Sequence, residues 1–274
     1  MMGVGPFSIH VVIVAVAVVL AWSVARLIGK RLPDGLGKTA GGMIFDAVLV
    51  GLAAARLGYI AQWWPEYAQA PLSMLAIGDG GFTWWLGVPV ALAFVWWRTR
   101  GARTLRQPVI AGIFTGMVAW GVGGGVVSSL QRAAPPLPDV ALATLDARPI
   151  TLKAYAGKPV VLNLWVTWCP PCRREMPVFA AAQQELPGVA FVMVNQGETA
   201  SAISAFLERE NLVLRDVLRD PSSLTMREMR ARGLPTTLFF DADGRLVDAH
   251  MGEMTMASLK STITRRFAQS SQDQ

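Results

Sequence analysis

Two cysteines, Cys169 and Cys172, stand in the stretch Trp165-Val-Thr-Trp-Cys-Pro-Pro-Cys-Arg-Arg-Glu-Met-Pro177, and the 274 residues contain no others. Two intervening residues suit a reversible disulfide, half of a zinc site, or a haem attachment. Zinc would need a second ligand pair, and only His250 and His10 could help, one of them in the apolar half of the chain. Haem attachment needs a histidine after the second cysteine, where Arg173 stands. Thiol–disulfide exchange is the favoured chemistry. Its nucleophile is a thiolate, which the dipole and free amides of a helix start stabilise. The apolar run Val160 to Val166 predicts a buried strand, and the charged segment after Cys172 suits a helix, so Cys169 falls at the helix start. Pro170 and Pro171 fit a first turn, yet each removes an N–H and leaves only the Cys172 amide. Arg173 and Arg174 add positive charge nearby. Cys169 is therefore the expected attacking thiol, and Cys172, one turn in and more buried, the resolving one.

The elements that must hold this pair fill residues 139–274. Val140 to Leu145 and Ile150 to Leu152 predict short leading strands around the turn Asp146-Ala-Arg-Pro149. The helix from the cysteines runs to about Leu186, with a kink expected at Pro177. Val189 to Asn195 reads as a second buried strand, and Ile203, Phe206 and Leu207 have helical spacing. Leu212 to Leu218 predicts a strand, with Asp220-Pro221 as N-cap and first residue of a helix ending near Gly233. Thr236 to Phe240 and Arg245 to Ala249 flank the hairpin turn Asp241-Ala-Asp-Gly244. Met256, Leu259, Ile263 and Phe267 suit a closing amphipathic helix. This is an α/β domain large enough for its own core.

Strand, C-x-x-C and helix in that order predict a thioredoxin fold. Residues 139–260 resemble the TlpA/ResA-like branch of membrane-tethered thioredoxins, which includes the cytochrome c maturation thioredoxins. The resemblance rests on the dithiol motif and on Leu234-Pro235-Thr236, which is similar to the family's cis-proline loop. It implies that Pro235 lies against the cysteines, that the Leu234 backbone pairs with a bound substrate strand, and that Trp168 joins them in binding substrate. The long interval from Cys172 to Pro235 matches the helix and strand this branch inserts. Asn163 occupies the place where ordinary thioredoxin keeps a buried carboxylate; its plain role would be to bond neighbouring backbone. Glu198, in Asn195-Gln-Gly-Glu198, resembles the branch's active-site glutamate and would take the proton of Cys172; otherwise it is a solvated glutamate at a helix start. No metal and no cofactor beyond the Cys169–Cys172 disulfide are expected.

The other half is of a different kind. Overall 53% of residues are hydrophobic and 16% charged, too apolar for an ordinary soluble protein. The net charge of +6 is carried by residues 1–132, with ten Lys/Arg against four Asp/Glu, whereas residues 133–274 hold fifteen of each. That placement suits loops orienting a membrane domain and disfavours nucleic-acid binding. Four spans are predicted: Phe7 to Ala25, Met43 to Trp64, a short Phe82 to Trp97 with tryptophans at both ends, and Pro108 to Leu130. A signal peptide is disfavoured for the first, since Met1 to Ser8 carries no Lys or Arg and no A-x-A site follows. Gly112/Gly116 and Gly121/Gly125 have the spacing that lets helices approach closely. Lys30, Arg31 and Lys38, and then Arg98, Arg100, Arg103 and Arg106, mark the first and third loops as cytoplasmic, which puts both termini outside. Asp46 and Arg56, about 15 Å apart on one helix, cannot pair directly. They mark a polar site, or else Asp46 is interfacial and Arg56 snorkels.

Ala55-Arg-Leu-Gly-Tyr59, a proline-containing outer loop and Gly80-Gly-Phe-Thr-Trp-Trp85 resemble the N-terminal part of prolipoprotein diacylglyceryl transferases. The family's catalytic histidine would fall at Trp85, and its later catalytic helices have no counterpart, so acyl transfer is not expected. The expected organisation is a four-span membrane domain over 1–132, a Pro-rich linker at 133–138 and a thioredoxin-like domain over 139–274. The leading reading is a thiol–disulfide oxidoreductase tethered to a bacterial inner membrane, facing the periplasm and reducing protein disulfides in preference to forming them. An oxidase of the same fold, a lipid-modifying transferase with a thioredoxin appendage, and a copper-handling module using His250 are the alternatives. The expected partners are membrane lipid, extracytoplasmic protein thiols and disulfides, and a separate membrane thiol reductase, because a transmembrane thiol relay needs cysteines in the spans and there are none.

Overall fold

The computed structural model describes residues 3–4, 7–32, 36–130 and 135–270. These residues form two compact units, one within 3–65 and 81–130, the other of 66–80 and 135–270. The expected division placed residues 66–80 with the membrane half; they pack with the thioredoxin-like half.

In the helical unit, β1 (Gly3–Val4) and β2 (Phe7–Ser8) form a small antiparallel pair before α1 (Ile9–Lys30). α2 (Gly37–Gln62), the N-terminal part of α3 (Trp64–Gln69), α4 (Trp84–Arg98) and α5 (Arg103–Leu130) follow. Three helices among the described residues are long and apolar enough to cross a membrane: Val11–Lys30, Gly37–Gln62 and Arg103–Val127. The expected third span, Phe82 to Trp97, is α4, whose 15 residues give only about 22 Å against a hydrocarbon thickness of about 30 Å. The four-span count is therefore not met by helix length. A Cβ on Gly116 would lie 3.1 Å from the Ala17 carbonyl oxygen, and one on Gly112 would lie 2.5 Å from the Ala21 carbonyl oxygen, so this pair seats α5 on α1. A Cβ on Gly121 or Gly125 would meet no atom of the described residues within 4 Å. The Arg56 guanidinium donates to the Gly81 carbonyl at 3.0 Å and lies 5.8 Å from the Phe82 ring, tying the chain entering α4 back to α2, while Asp46 is exposed.

The α/β unit is a seven-stranded sheet in the order β4-β3-β7-β6-β5-β8-β9. Its elements are β3 (Ala141–Thr144), β4 (Pro149–Thr151), β5 (Val160–Trp165), α6 (Pro170–Glu185), β6 (Ala190–Gln196), α7 (Ala200–Arg209), β7 (Val217–Asp220), α8 (Leu224–Glu228), β8 (Thr236–Phe240), β9 (Leu246–Met251) and α9 (Met256–Ser270). β5 pairs parallel with β6 and antiparallel with β8. Every residue of β5 is buried, because both faces of the sheet are covered. Val161 and Trp165 point into a core with Met176, Phe179 and Phe206, whereas Leu162 and Leu164 point into the opposite core with Leu238 and Leu142.

Most elements fall where the pattern put them, with two departures. α6 continues past Pro177, which sits midway along it without an N–H to donate. The strand expected at Leu212 to Leu218 begins only at Val217. The helix expected from Asp220 to Gly233 shrinks to the five residues of α8, with Ser223 at the cap in a left-handed conformation. Asp220 still caps it, from the end of β7: its carboxylate accepts from Leu224 N and Thr225 N at 3.0 and 2.7 Å. Of the proline-rich linker, residues 133–134 lie outside the described residues. Pro135 to Leu137 bond to Gly244 and Leu246 and so belong to the sheet edge.

Candidate active site

Cys169 is the N-cap of α6 and is joined to Cys172 as a disulfide. The Cys172 N–H donates to Cys169 Sγ at 3.4 Å, the one amide that the two prolines leave to the first turn. Cys169 is 5% exposed and Cys172 fully buried, while the neighbouring Trp168 is 72% exposed. The disulfide is thus flanked by a large apolar ring open to solvent. The positive charge expected from Arg173 and Arg174 is largely spoken for, since Arg173 pairs with Glu210 at 2.7 Å and Arg174 with Glu253 at 2.6 Å. Leu234–Pro235 is a cis peptide, and Leu234 packs against the core cluster that contains both cysteines. The Pro235 carbonyl accepts from Gly252 N at 2.9 Å, fixing the loop to the end of β9.

Glu198 is not free at a helix start. Its carboxylate accepts from Thr167 N at 2.7 Å, Thr167 Oγ1 at 2.6 Å and Asn195 Nδ2 at 2.6 Å. Those bonds brace the turn that carries the chain from β5 to Cys169. Glu198 thus holds Thr167, two residues before Cys169.

The carboxyl under the dithiol is another one, Glu175, which the sequence reading passed over. It lies one turn beyond Cys172 on the same face of α6, and both side chains are fully buried. Asn163 Nδ2 donates to Glu175 Oε1 at 2.8 Å and to Thr237 Oγ1 at 3.1 Å, and Met254 N donates to Glu175 Oε2 at 3.1 Å. Asn163 therefore bonds side chains across the sheet rather than neighbouring backbone. Burial pushes the Glu175 carboxyl up to about 8, against the opposing pull of the Asn163 and Met254 donors. A group that exchanges its proton near neutrality, next to a thiol that must lose one, is suited to general acid–base work. The signal was present in the pattern. Cys172, Glu175, Met176 and Phe179 follow i, i+3, i+4, i+7, so Glu175 occupies a core position of α6.

His250, weighed as a copper ligand, is half-buried on β9 opposite Thr237, and desolvation lowers its pKa. No cluster of three or more His, Cys, Asp or Glu side chains able to hold a metal occurs among the described residues.

The comparisons agree with this geometry. A family model described as AhpC/TSA matches residues 134–249, and one described as prolipoprotein diacylglyceryl transferase matches residues 1–127. The thiol-disulfide oxidoreductase ResA of Geobacillus thermodenitrificans is 35% identical over 127 residues, 45% of this chain and 71% of the relative. This chain belongs to the ResA family of thiol–disulfide oxidoreductases. A second ResA, from Halalkalibacterium halodurans, is also 35% identical, over 46% of this chain and 73% of its own. A solved structure titled a putative thiol:disulfide interchange protein DsbE, from Chlorobium tepidum, is 26% identical over 48% of this chain and 96% of its own, with a TM-score of 0.45. The ResA-like half is thus an enzyme of thiol–disulfide exchange acting on protein thiols and disulfides, fused to a membrane-tethering half.

Proposed function

We propose that the protein reduces disulfides of extracytoplasmic proteins at the outer face of a bacterial inner membrane, using Cys169 and Cys172 and no further cofactor. The observation that carries this reading is the pairing of Cys169 at the α6 N-cap with a buried, protonatable Glu175 one turn beyond Cys172. In the reduced enzyme the Cys169 thiolate attacks one sulfur of the substrate disulfide. That S–S bond breaks, the first substrate thiolate leaves and takes a proton from water, and a mixed disulfide forms. Cys172 then gives its proton to the ionised Glu175 carboxylate and attacks Cys169 Sγ. The mixed disulfide breaks, the second substrate thiolate leaves, and two electrons have passed to the substrate. Trp168, the Leu234 backbone and Pro235 line the place where the substrate segment docks, and Glu198 holds the turn that presents Trp168 and Cys169.

The reductive direction is supported by the two prolines. With two N–H donors removed from the first turn, the Cys169 thiolate is held less strongly than in a strong oxidant, whose reduced form is the stabilised one. The Lys/Arg distribution among the loops supports the outward orientation of the dithiol. With no cysteine in the spans, electrons must come from a separate membrane thiol reductase. The test is the redox state of the full-length dithiol in cells, read by thiol-specific mass tagging. Removing the host's thiol-transporting membrane reductase should convert it from reduced to oxidised; a dithiol that stays reduced in that strain contradicts the proposed supply.

A further inference from the structure

The segment Met254-Thr255 lies between two carboxylates. Met254 N–H donates to Glu175 Oε2, and the Thr255 hydroxyl donates to Asp79 Oδ2, each at 3.1 Å. Asp79 does not come from the thioredoxin-like sequence; it closes the loop between α3 and α4, in the part of the chain that connects two membrane-half helices. It is only 3% exposed, and the fully buried Tyr67 donates its hydroxyl to the same oxygen at 2.8 Å. A carboxylate is taken out of water only where donors replace the solvent, and here one donor is supplied from each side of the contact. The contact has a second point. Lys260 on α9 bridges Glu66 at the start of the loop, at 3.2 Å, and Glu185 at the end of α6, at 2.6 Å. Loop 66–80 thus grips both α9 and the residues just before it.

Thr255 is well placed to pass that grip on. It closes a capping box with Ser258, the Ser258 N–H reaching Thr255 Oγ1 at 3.2 Å and the Thr255 N–H reaching Ser258 Oγ at 3.0 Å. The hydroxyl hydrogen is left to point at Asp79, and the preceding peptide presents Met254 N–H to Glu175. We propose that Asp79 is a positioning residue for the dithiol chemistry: through Thr255 and Met254, loop 66–80 sets the environment of Glu175. The proposal rests on the reading of Glu175 as the proton acceptor for Cys172. It gives a segment outside the thioredoxin-like sequence a part in the redox site.

The groups facing Glu175 are Cys172 on its own helix, Asn163 from β5, the Met254 amide, and Glu253, which is paired with Arg174. Tyr67, Thr255 and His250 surround Asp79. The experiment follows the second step, release of glutathione from the Cys169–glutathione mixed disulfide, as the reduced full-length protein in nanodiscs reacts with glutathione disulfide between pH 5.5 and 9.5; Cys169 does not titrate in that step. Wild type should show an inflection from Glu175, and Glu175→Gln should lose it. Asp79→Ala should move that inflection to higher pH by about one unit, because the Met254 donor that favours the ionised carboxylate is loosened. Asp79→Asn, which keeps an acceptor oxygen for Tyr67 and Thr255, should return it most of the way. Amide exchange at residues 252–256 should quicken about tenfold in Asp79→Ala, as the loss of one net hydrogen bond implies. An Asp79→Ala profile and exchange rate matching wild type, with the inflection still lost in Glu175→Gln, overturns the positioning role alone. An inflection that survives Glu175→Gln overturns the proton role of Glu175 and the positioning role with it.

Discussion

Replacing Glu175 by glutamine removes one titrating proton and little else, and its effect on stability has a sign that few other substitutions would give. The carboxyl titrates at 4.5 when exposed and at about 8 in the folded domain. Between those values the folded chain holds a proton that the unfolded chain has released, so the associated stability is complete below pH 4.5 and is lost as pH rises through about 8. The slope is roughly 1.4 kcal/mol per pH unit, or about 2 kcal/mol between pH 6.5 and 8. His250 works the other way. Its folded pKa is lowered, so it costs stability below its ordinary value of 6.5 and is silent above it. The window from 6.5 to 8 therefore isolates Glu175. The assay is urea unfolding of the full chain in detergent, in the disulfide form so that neither cysteine titrates, with the α/β unit read by pulse proteolysis. Wild type should lose about 2 kcal/mol across the window while Glu175→Gln stays level. Parallel slopes for the two proteins would refute the buried, proton-holding Glu175.

Two further outcomes follow from the same site and its setting. Cys172→Ser should accumulate mixed disulfides on Cys169 and Cys169→Ser should accumulate few, as seen on non-reducing gels of whole cells; equal trapping would reverse the attacking and resolving roles. Reporter fusions after Leu32 and Ala102 should read as cytoplasmic and those after Ala68 and Pro138 as extracytoplasmic, and a cytoplasmic signal at Pro138 would remove the basis for the compartment.

The dithiol, its helix-start position and the sheet that carries it were legible because each has a local signature: an apolar run, a C-x-x-C, two prolines that fit a first turn. Glu175 was not, although its core position was visible in the helical period, because a glutamate there is read as charged and outward until its partners are known. Those partners, Asn163 and Met254, come from 12 and 79 residues away and meet Glu175 only in the folded domain. Glu198 is a related case: its sequence neighbourhood suggested an acid–base group but gave no sign of the three donors, from Thr167 and Asn195, that meet its carboxylate. The α8 helix failed as an expectation because Asp220 sits at the end of a strand and caps from there, leaving room for only five helical residues. Loop 66–80 offered no sequence signal at all for its attachment, since a lone buried aspartate is recognisable only once Thr255 and Tyr67 stand beside it.

The central claim is that Cys169 and Cys172 deliver electrons outward. The direct test is the equilibrium reduction potential of the pair in the full-length protein, titrated against glutathione and dithiothreitol buffers. A first turn with a single remaining amide for Cys169 predicts a value below about −200 mV, on the reducing side of protein disulfide isomerase. A value near −120 mV, in the range of a strong periplasmic oxidant, would contradict the account.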